Sequence, residues 1–216
     1  MVNDKIVIFD WGGVIESHRE EEYNQSQAII NIMRKYGCTL NDDKIIEIYS
    51  NYSIEQHKYY TFSESDISEL KKWFENIKRN LSINCSLEEF VESYHTDLKK
   101  VFYYKDVVNY AHNLKDKCNI GIFSNLMQID EERINYQVDL KVFNYVFLSY
   151  QIGCRKPDEK AYEIVENSIG IKPENILFVD DSIENIIVAK KRGWQVCNAY
   201  GFELDKIMAS VNEFLK

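Results

Sequence analysis

Proline and glycine are scarce in this chain, with two prolines and eight glycines among 216 residues. That leaves no flexible Gly- or Pro-rich linker, and neither an internal repeat nor a low-complexity stretch is present, so the chain reads as a compact unit of at most two parts. Long apolar runs are also missing. None approaches the roughly 20 residues needed to span a bilayer. The first run, Ile6 to Phe9, is too short for a signal peptide and is followed at once by Asp10. The five cysteines, Cys38, Cys85, Cys118, Cys154 and Cys197, are odd in number and show neither CxxC nor zinc-type spacing. They read as reduced packing thiols, which suits a cytoplasmic protein. Positive charge is in deficit: 26 Lys and Arg against 35 Asp and Glu leave a net charge of -9. This argues against a nucleic-acid partner, because phosphate backbones recruit basic surfaces. It does not argue against a small phosphorylated metabolite, since a pocket can be locally positive in an acidic protein.

What is present is a 45% hydrophobic composition, enough for a buried core. Four short apolar runs predict buried parallel strands: Ile6 to Phe9, Ile120 to Phe123, Tyr145 to Leu148 and Ile176 to Val179. Each is rich in β-branched or aromatic residues and lacks polar alternation, as expected when helices cover both faces. Gln195 to Cys197 is a weaker fifth run. Pro157-Asp158 opens a helical stretch closed by Gly170, and Ser182 opens another closed by Gly193. The alternation of strand and helix predicts an α/β fold with a Rossmann-like, doubly wound parallel sheet and right-handed crossovers.

The gap between the first two strands breaks that rhythm. Amphipathic helices are expected through Ala28, Ile29, Ile32 and Met33, and again over Ile45 to Tyr49, Ile67 to Ile77 and Leu87 to Leu98. Ser86 with Glu89 forms a capping-box pattern before the last of these. A crossover needs only about a dozen residues. The excess predicts an inserted α-helical cap subdomain over residues 16–104, with a core made of residues 1–15 and 105–216. The aromatics Tyr49, Tyr52, Tyr59, Tyr60, Phe62, Trp73 and Phe74 belong to that insertion, mostly as its core.

Ligands of open α/β sheets bind beyond the carboxyl ends of the strands. The residues placed there are Asp10-Trp11-Gly12-Gly13, Ser124-Asn125, Arg155-Lys156-Pro157 and Asp180-Asp181-Ser182. Three carboxylates, Asp10, Asp180 and Asp181, would repel one another and any phosphate dianion. A divalent cation removes both difficulties, and an all-oxygen donor set favours a hard ion such as Mg²⁺. Lys156 adds positive charge for phosphoryl oxygens, and Ser124 offers a hydroxyl.

These segments resemble the four ordered motifs of the haloacid dehalogenase-like superfamily. They are Ile6-Val7-Ile8-Phe9-Asp10-Trp11-Gly12-Gly13-Val14, then Ile122-Phe123-Ser124-Asn125, then Lys156-Pro157, then Ile176 to Asp181 followed by Asn185. The helical insertion resembles that family's C1 cap. The resemblance implies a Mg²⁺-dependent hydrolase with Asp10 as a nucleophile that becomes an aspartyl-phosphate. It makes the Gly12 carbonyl and Asp181 metal ligands, with Asp180 and Asn185 holding the metal or its waters. Lys156 would act in catalysis and, with Gly12, Gly13, Ser124 and Asn125, cradle the phosphate. Asp10 to Val14 and Leu148 to Pro157 are most similar to a bacterial subgroup that contains α-D-glucose-1-phosphate phosphatases, which implies a sugar phosphate as substrate.

One position departs from the family's pattern. Most of its phosphatases carry a second Asp two residues after the nucleophile, as acid and base for the leaving group; here that position is Gly12. General acid–base help is worth ~10²–10⁴ in rate. Glu16 and His18, just downstream, are the nearby substitutes. His57, His95 and His112 read as helix-face residues, and Arg155 as structural or surface rather than catalytic. Two other functions compete with a phosphatase. A 2-haloacid dehalogenase would use the same nucleophile without metal, although Asp180-Asp181 would repel its carboxylate substrate. A non-catalytic phosphate-binding protein would explain Gly12 but not the intact Asp10, Lys156 and Asp181.

Overall fold

A computed structural model describes residues 4–56 and 65–216 of the chain. Tyr59, Tyr60, Phe62 and His57 lie outside the described residues. Strand β1 (Ile6–Phe9) is followed by α1 (Gln25–Lys35), α2 (Asp42–Gln56), α3 (Ser65–Leu81), α4 (Leu87–Leu98) and α5 (Lys105–Asn113). Then come β2 (Asn119–Ser124), α6 (Glu131–Gln137), β3 (Tyr145–Leu148), α7 (Ser149–Ile152) and α8 (Glu159–Ile169). Strand β4 (Ile176–Asp180), α9 (Ile183–Lys191), β5 (Gln195–Asn198) and α10 (Leu204–Phe214) complete the order.

The five strands form one all-parallel sheet in the order β3-β2-β1-β4-β5. The apolar runs divide between two layers because a strand turns successive side chains to opposite faces. Val7, Phe9, Ile120, Ile122, Leu177 and Val179 pack on one face against Val107, Ala111, Ile134, Ile207 and Val211 of α5, α6 and α10. Ile6, Ile8, Phe123, Ile176 and Phe178 pack on the other face against Tyr162 and Val165 of α8 and Ala189 of α9. The Rossmann-like α/β fold expected from the sequence is therefore present, with helices on both faces.

Helices α1 to α4 enclose an apolar cluster of their own, with Ile29, Ile32 and Met33 against Trp73, Phe74, Ile77, Phe90 and Tyr94. Phe90 sits 5.7 Å from Trp73 and 5.3 Å from Phe74, centroid to centroid. Met127 and Ile129, from the loop after β2, join this cluster and hold it to the sheet. The capping box at Ser86 forms as expected: Glu89 N–H donates to Ser86 Oγ at 3.2 Å, and Ser86 N–H donates to Glu89 Oε2 at 2.8 Å. Asn24 and Gln27 make a second capping box at α1. Ser182 and Asp158 open α9 and α8 without a side-chain cap bond, whereas Gly170 closes α8 in the left-handed conformation at φ 64°. No helix among the described residues is long and apolar enough to cross a membrane.

Candidate active site

Strand order reverses at β1, whose neighbours β2 and β4 are reached by crossovers in opposite directions. A parallel sheet opens a crevice at such a point. Asp10 follows β1 directly, and its backbone N–H donates to Val179 O at 2.9 Å, which locks it beside the end of β4. Asp180 ends β4, Ser124 ends β2, and Lys156 arrives on the loop between α7 and α8. All four are at least nine-tenths buried.

Lys156 is the hub. Its Nζ lies 2.6 Å from Asp180 Oδ2 and 2.9 Å from Asp10 Oδ2. Burial opposes its charge, but the two carboxylates outweigh burial and raise its pKa. Asp10 Oδ1 accepts from the Trp11 N–H at 2.6 Å. Asp180 is held on every side: its Oδ1 accepts from Ser182 N–H at 2.8 Å, and Asn185 Nδ2 donates to both oxygens at 3.1 and 3.0 Å. Burial, helped by the charge of Asp10 and opposed by Lys156, still pushes the Asp180 carboxyl up to about 6. Asp181 is also raised, by burial first and then by Asp180, with His18 opposing.

Asp10, Asp180 and Asp181 each bring a carboxylate oxygen to within 4.8 Å of the others. One ammonium does not neutralise three carboxylates, so the cluster suits a hard divalent cation. The backbone is shaped for the same end. Gly13 has φ +72°, and a Cβ there would meet the Asp181 carboxylate at 2.4 Å. Only glycine lets Asp181 approach this closely. The donor set, all oxygen with close backbone beside it, fits Mg²⁺.

The expected phosphate cradle is spread differently from its sequence order. Asn125 does not point its amide into free space: Nδ2 donates to Lys156 O at 2.8 Å and Oδ1 accepts from Lys156 N–H at 2.9 Å. It fixes the loop that delivers the ammonium. Gly12, Ser124, Asn125 and Lys156 line a cavity of about 330 Å³ together with Asp10, Asp181 and Asn185. Arg155, read from sequence as a structural or surface residue, lines it as well, and its half-buried guanidinium has an Nε without a hydrogen-bond partner among the described residues.

The two substitutes considered for the missing acid are set apart. Glu16 is buried and pairs with Arg133 Nη1, while Trp11 Nε1 donates to the same carboxylate oxygen at 3.3 Å. His18 is half-exposed, with Nδ1 3.9 Å from Asp181 Oδ2. A Cβ on Gly12 would meet the His18 ring at 3.0 Å, and Gly12 does not have a positive φ. Position 12 can therefore take a side chain if the imidazole shifts.

Arg133 and Asp130 were not legible as site residues. Arg133 is fully buried between Glu16 and Asp130, with Nε 2.9 Å from Asp130 Oδ1. Burial opposes its charge, yet the two carboxylates raise its pKa. Asp130 also accepts from Tyr94 OH of α4 at 2.7 Å, so the network runs from the chain leaving β1 to the inserted helices.

Removing the hub should be costly. Lys156→Met leaves Asp10 and Asp180 buried without their cation, and breaking a buried pair costs about 3–5 kcal/mol. Urea unfolding of the metal-free proteins measures this; a loss below about 1 kcal/mol would show that the ammonium is not what holds the two carboxylates together.

Comparison with known proteins agrees with this geometry. Residues 7–199 match the family described as haloacid dehalogenase-like hydrolase. Haloacetate dehalogenase H-2 of Moraxella sp. is 44% identical over 54 residues, which are 24% of this chain and 24% of that one. Sesquiterpene phosphatase astK of Aspergillus oryzae is 40% identical over 60 residues, 28% of this chain and 30% of that one. The chain thus spans under a third of the length of these two relatives. Enolase-phosphatase E1 of Sulfurihydrogenibium sp. is 26% identical over 163 residues, 73% of this chain and 70% of that one. Among solved structures, a magnesium complex of an HAD family enzyme from Bacteroides thetaiotaomicron superposes with a TM-score of 0.71 at 18% identity, covering 91% of this chain and 93% of that one. L-2-haloacid dehalogenase from Xanthobacter autotrophicus, with chloropropionic acid covalently bound, gives 0.61 at 16% identity, covering 99% of this chain and 87% of that one. At these identities the superpositions show the fold. The family match, extending over most of the chain and every strand-end residue described above, makes this protein a member of the haloacid dehalogenase-like hydrolases.

Proposed function

We propose that the protein is a Mg²⁺-dependent phosphatase acting on a small phosphorylated metabolite through an aspartyl-phosphate on Asp10. The observation that carries this reading is the convergence of Asp10, Asp180 and Asp181 beside Gly13, whose left-handed backbone and missing Cβ leave room for the Asp181 carboxylate. A dehalogenase acting on a carboxylate substrate gains nothing from three clustered acids. The relatives include phosphatases as well as dehalogenases, and one structural neighbour holds both magnesium and inorganic phosphate.

In this reading residues 1–15 and 105–216 form the catalytic core and residues 16–104 the cap. The Asp10 carboxylate attacks phosphorus, forming the acyl O–P bond as the ester P–O bond breaks and the leaving oxygen departs with its electron pair. Water then attacks phosphorus, breaks the acyl O–P bond, restores Asp10 and releases phosphate. Lys156 pairs with Asp10 and aims positive charge at the phosphoryl oxygens, with Arg155 on the same wall. Asp180, itself held by the Asn185 amide, fixes the ammonium, and Asn125 fixes its backbone. Asp10, Asp181 and the Gly12 carbonyl, with Asp180 and Asn185 behind them, would hold Mg²⁺, which would supply neutralisation of phosphoryl charge. A sugar phosphate as substrate rests on Asp10 to Val14 and Leu148 to Pro157, and a cytoplasmic setting on the five free thiols.

The test is phosphate release from a series of esters graded by leaving-group pKa, with Mg²⁺ present. With glycine at position 12 the leaving oxygen departs with little protonation, and phosphoryl transfer builds charge on it. Aryl, acyl and anomeric sugar phosphates should therefore outrun glycerol phosphate. Gly12→Asp should flatten the dependence of log kcat/KM on leaving-group pKa, with Gly12→Ala as the steric control for displacement of His18. A slope already shallow in the wild type that steepens in His18→Ala would identify the imidazole as the proton donor and end the view of Gly12 as a missing acid. No release from any ester would remove the phosphatase reading itself.

A further inference from the structure

Just beyond Asp10 the chain folds back on itself. Trp11 O accepts from the Ile15 and Glu16 N–H groups, both at 2.8 Å, and Glu16 makes a parallel β-bridge with Gly12. Residues 11–16 thus close a tight loop. The N–H at its start, that of Trp11, is the one that grips Asp10 Oδ1 at 2.6 Å, while Asp10 Oδ2 faces Lys156 Nζ at 2.9 Å. The orientation of the Asp10 carboxylate therefore depends on where the Trp11 peptide sits.

We propose that Glu16 and Arg133 are positioning residues of the site: clamped on the Trp11 indole, they fix the peptide that aims the Asp10 carboxylate. The proposal rests on the reading of Asp10 as the nucleophile and adds residues that act through it. Contact is the first reason. Trp11 Nε1 donates to Glu16 Oε2 at 3.3 Å, and Arg133 Nη1 donates to the same oxygen. Arg133 is held at its other side, where Nε donates to Asp130 Oδ1 at 2.9 Å. Asp130 in turn accepts from Tyr94 OH at 2.7 Å and from the Met127 N–H at 2.9 Å. Trp11, Glu16 and Arg133 are buried, and all three line the catalytic cavity.

The second reason is what a buried ion pair does that apolar packing does not. Withdrawing two charges from water offsets most of their attraction, so hydrophobic residues of the same volume usually serve stability as well. An ion pair supplies direction instead. The guanidinium is a rigid plane that meets Asp130 through Nε and Glu16 through Nη1, which sets the loop after β1 against the start of α6. The cavity wall is where direction counts, since a displacement of about 1 Å at a reacting group can cost about a hundredfold in rate.

Rapid-quench kinetics on the full chain with Mg²⁺ and phenyl phosphate tests this, with acid-trapped aspartyl-phosphate as the readout. Glu16→Met, which nearly keeps the volume and removes both hydrogen bonds, should slow formation of the intermediate by about 10–100-fold. KM and the Mg²⁺ concentration for half-maximal activity should move less than about threefold, because neither residue holds the substrate or the metal. Glu16→Gln, whose amide oxygen can still take both N–H groups and which leaves Arg133 paired with Asp130, should recover the rate to within about threefold of wild type. Arg133→Lys, which keeps the charge but not the planar fork, should slow the same step by about tenfold. Trp11→Phe keeps the ion pair and an aromatic ring, and carries the test if Glu16→Met fails to fold. It should lose about as much as Glu16→Met, and the double variant no more than either alone, because both act through one contact. A folded Glu16→Met, Arg133→Lys or Trp11→Phe that forms the intermediate within about twofold of the wild-type rate overturns the assignment. So does a loss that falls on KM, a loss that Glu16→Gln does not recover, or losses that multiply in the double variant. A wild type that turns over no phosphate ester overturns the phosphatase reading, and the assignment with it.

Discussion

Asp10→Asn should abolish turnover with a near-native fold. The amide keeps the shape of the carboxylate and can still accept the Trp11 N–H through its oxygen, but it has no anionic oxygen to attack phosphorus. Loss of a nucleophile costs several orders of magnitude, so kcat should fall by about 10³-fold or more. Stability should hold for a specific reason. The substitution removes one of two carboxylates that face Lys156 Nζ, and the remaining one, Asp180, keeps its 2.6 Å contact. The metal-free variant should therefore melt no lower than the metal-free wild type. Residual activity above about one per cent of wild type, in protein free of deamidation, would sink covalent catalysis by Asp10. A collapsed melting temperature would instead mean that Asp10 holds the strand ends together.

Metal removal should have a comparable effect. Without a divalent cation, Asp10, Asp180 and Asp181 crowd one buried ammonium, and a phosphate dianion would add to the repulsion. Activity should vanish in EDTA and return with Mg²⁺. Ca²⁺ should inhibit, since its looser coordination relaxes the in-line geometry. Binding can be read apart from activity: ligands of the native state stabilise by mass action, about 2.7 kcal/mol at a hundredfold excess over Kd. Mg²⁺ should thus raise the Tm of the wild type. Asp181→Ala should lose most of that rise, and so should Gly13→Ala, whose methyl would sit 2.4 Å from the Asp181 carboxylate. Full activity in chelator would make the acidic cluster a structural feature and not a metal site.

Much of the sheet was legible because buried parallel strands are written as continuous apolar runs. Ile6 to Phe9 and Tyr145 to Leu148 carry the same bounds in sequence and structure, and Ile176 to Val179 differs from β4 only by Asp180. The convergence of Asp10, Ser124, Asp180 and Asp181 was legible for a related reason: each stands at the last residue of a strand or just beyond it, so topology brings them to one edge. What was hidden depends on contacts between distant segments. Glu16 and Arg133 are 117 residues apart, and nothing in either segment announces that Glu16 is committed to an ion pair and withheld from proton transfer. The role of Asn125 was hidden in the same way, since an amide after a strand reads equally as an anion donor or as a brace for Lys156. Asn24 and Gln27, by contrast, spell a capping box that could have been read directly.

The most direct measurement is chemical trapping of the intermediate. The enzyme is mixed with excess acetyl phosphate or phenyl phosphate and Mg²⁺, quenched in acid during turnover, reduced with borohydride and mapped by peptide mass spectrometry. An acyl phosphate is reduced to an alcohol whereas a free carboxylate is not. The modification should fall on Asp10, require Mg²⁺, and be absent from Asp10→Asn. Phosphate release at steady state with Asp10 unmodified, or an ester formed on Asp10 from a 2-haloacid without metal, would contradict a phosphatase working through Asp10.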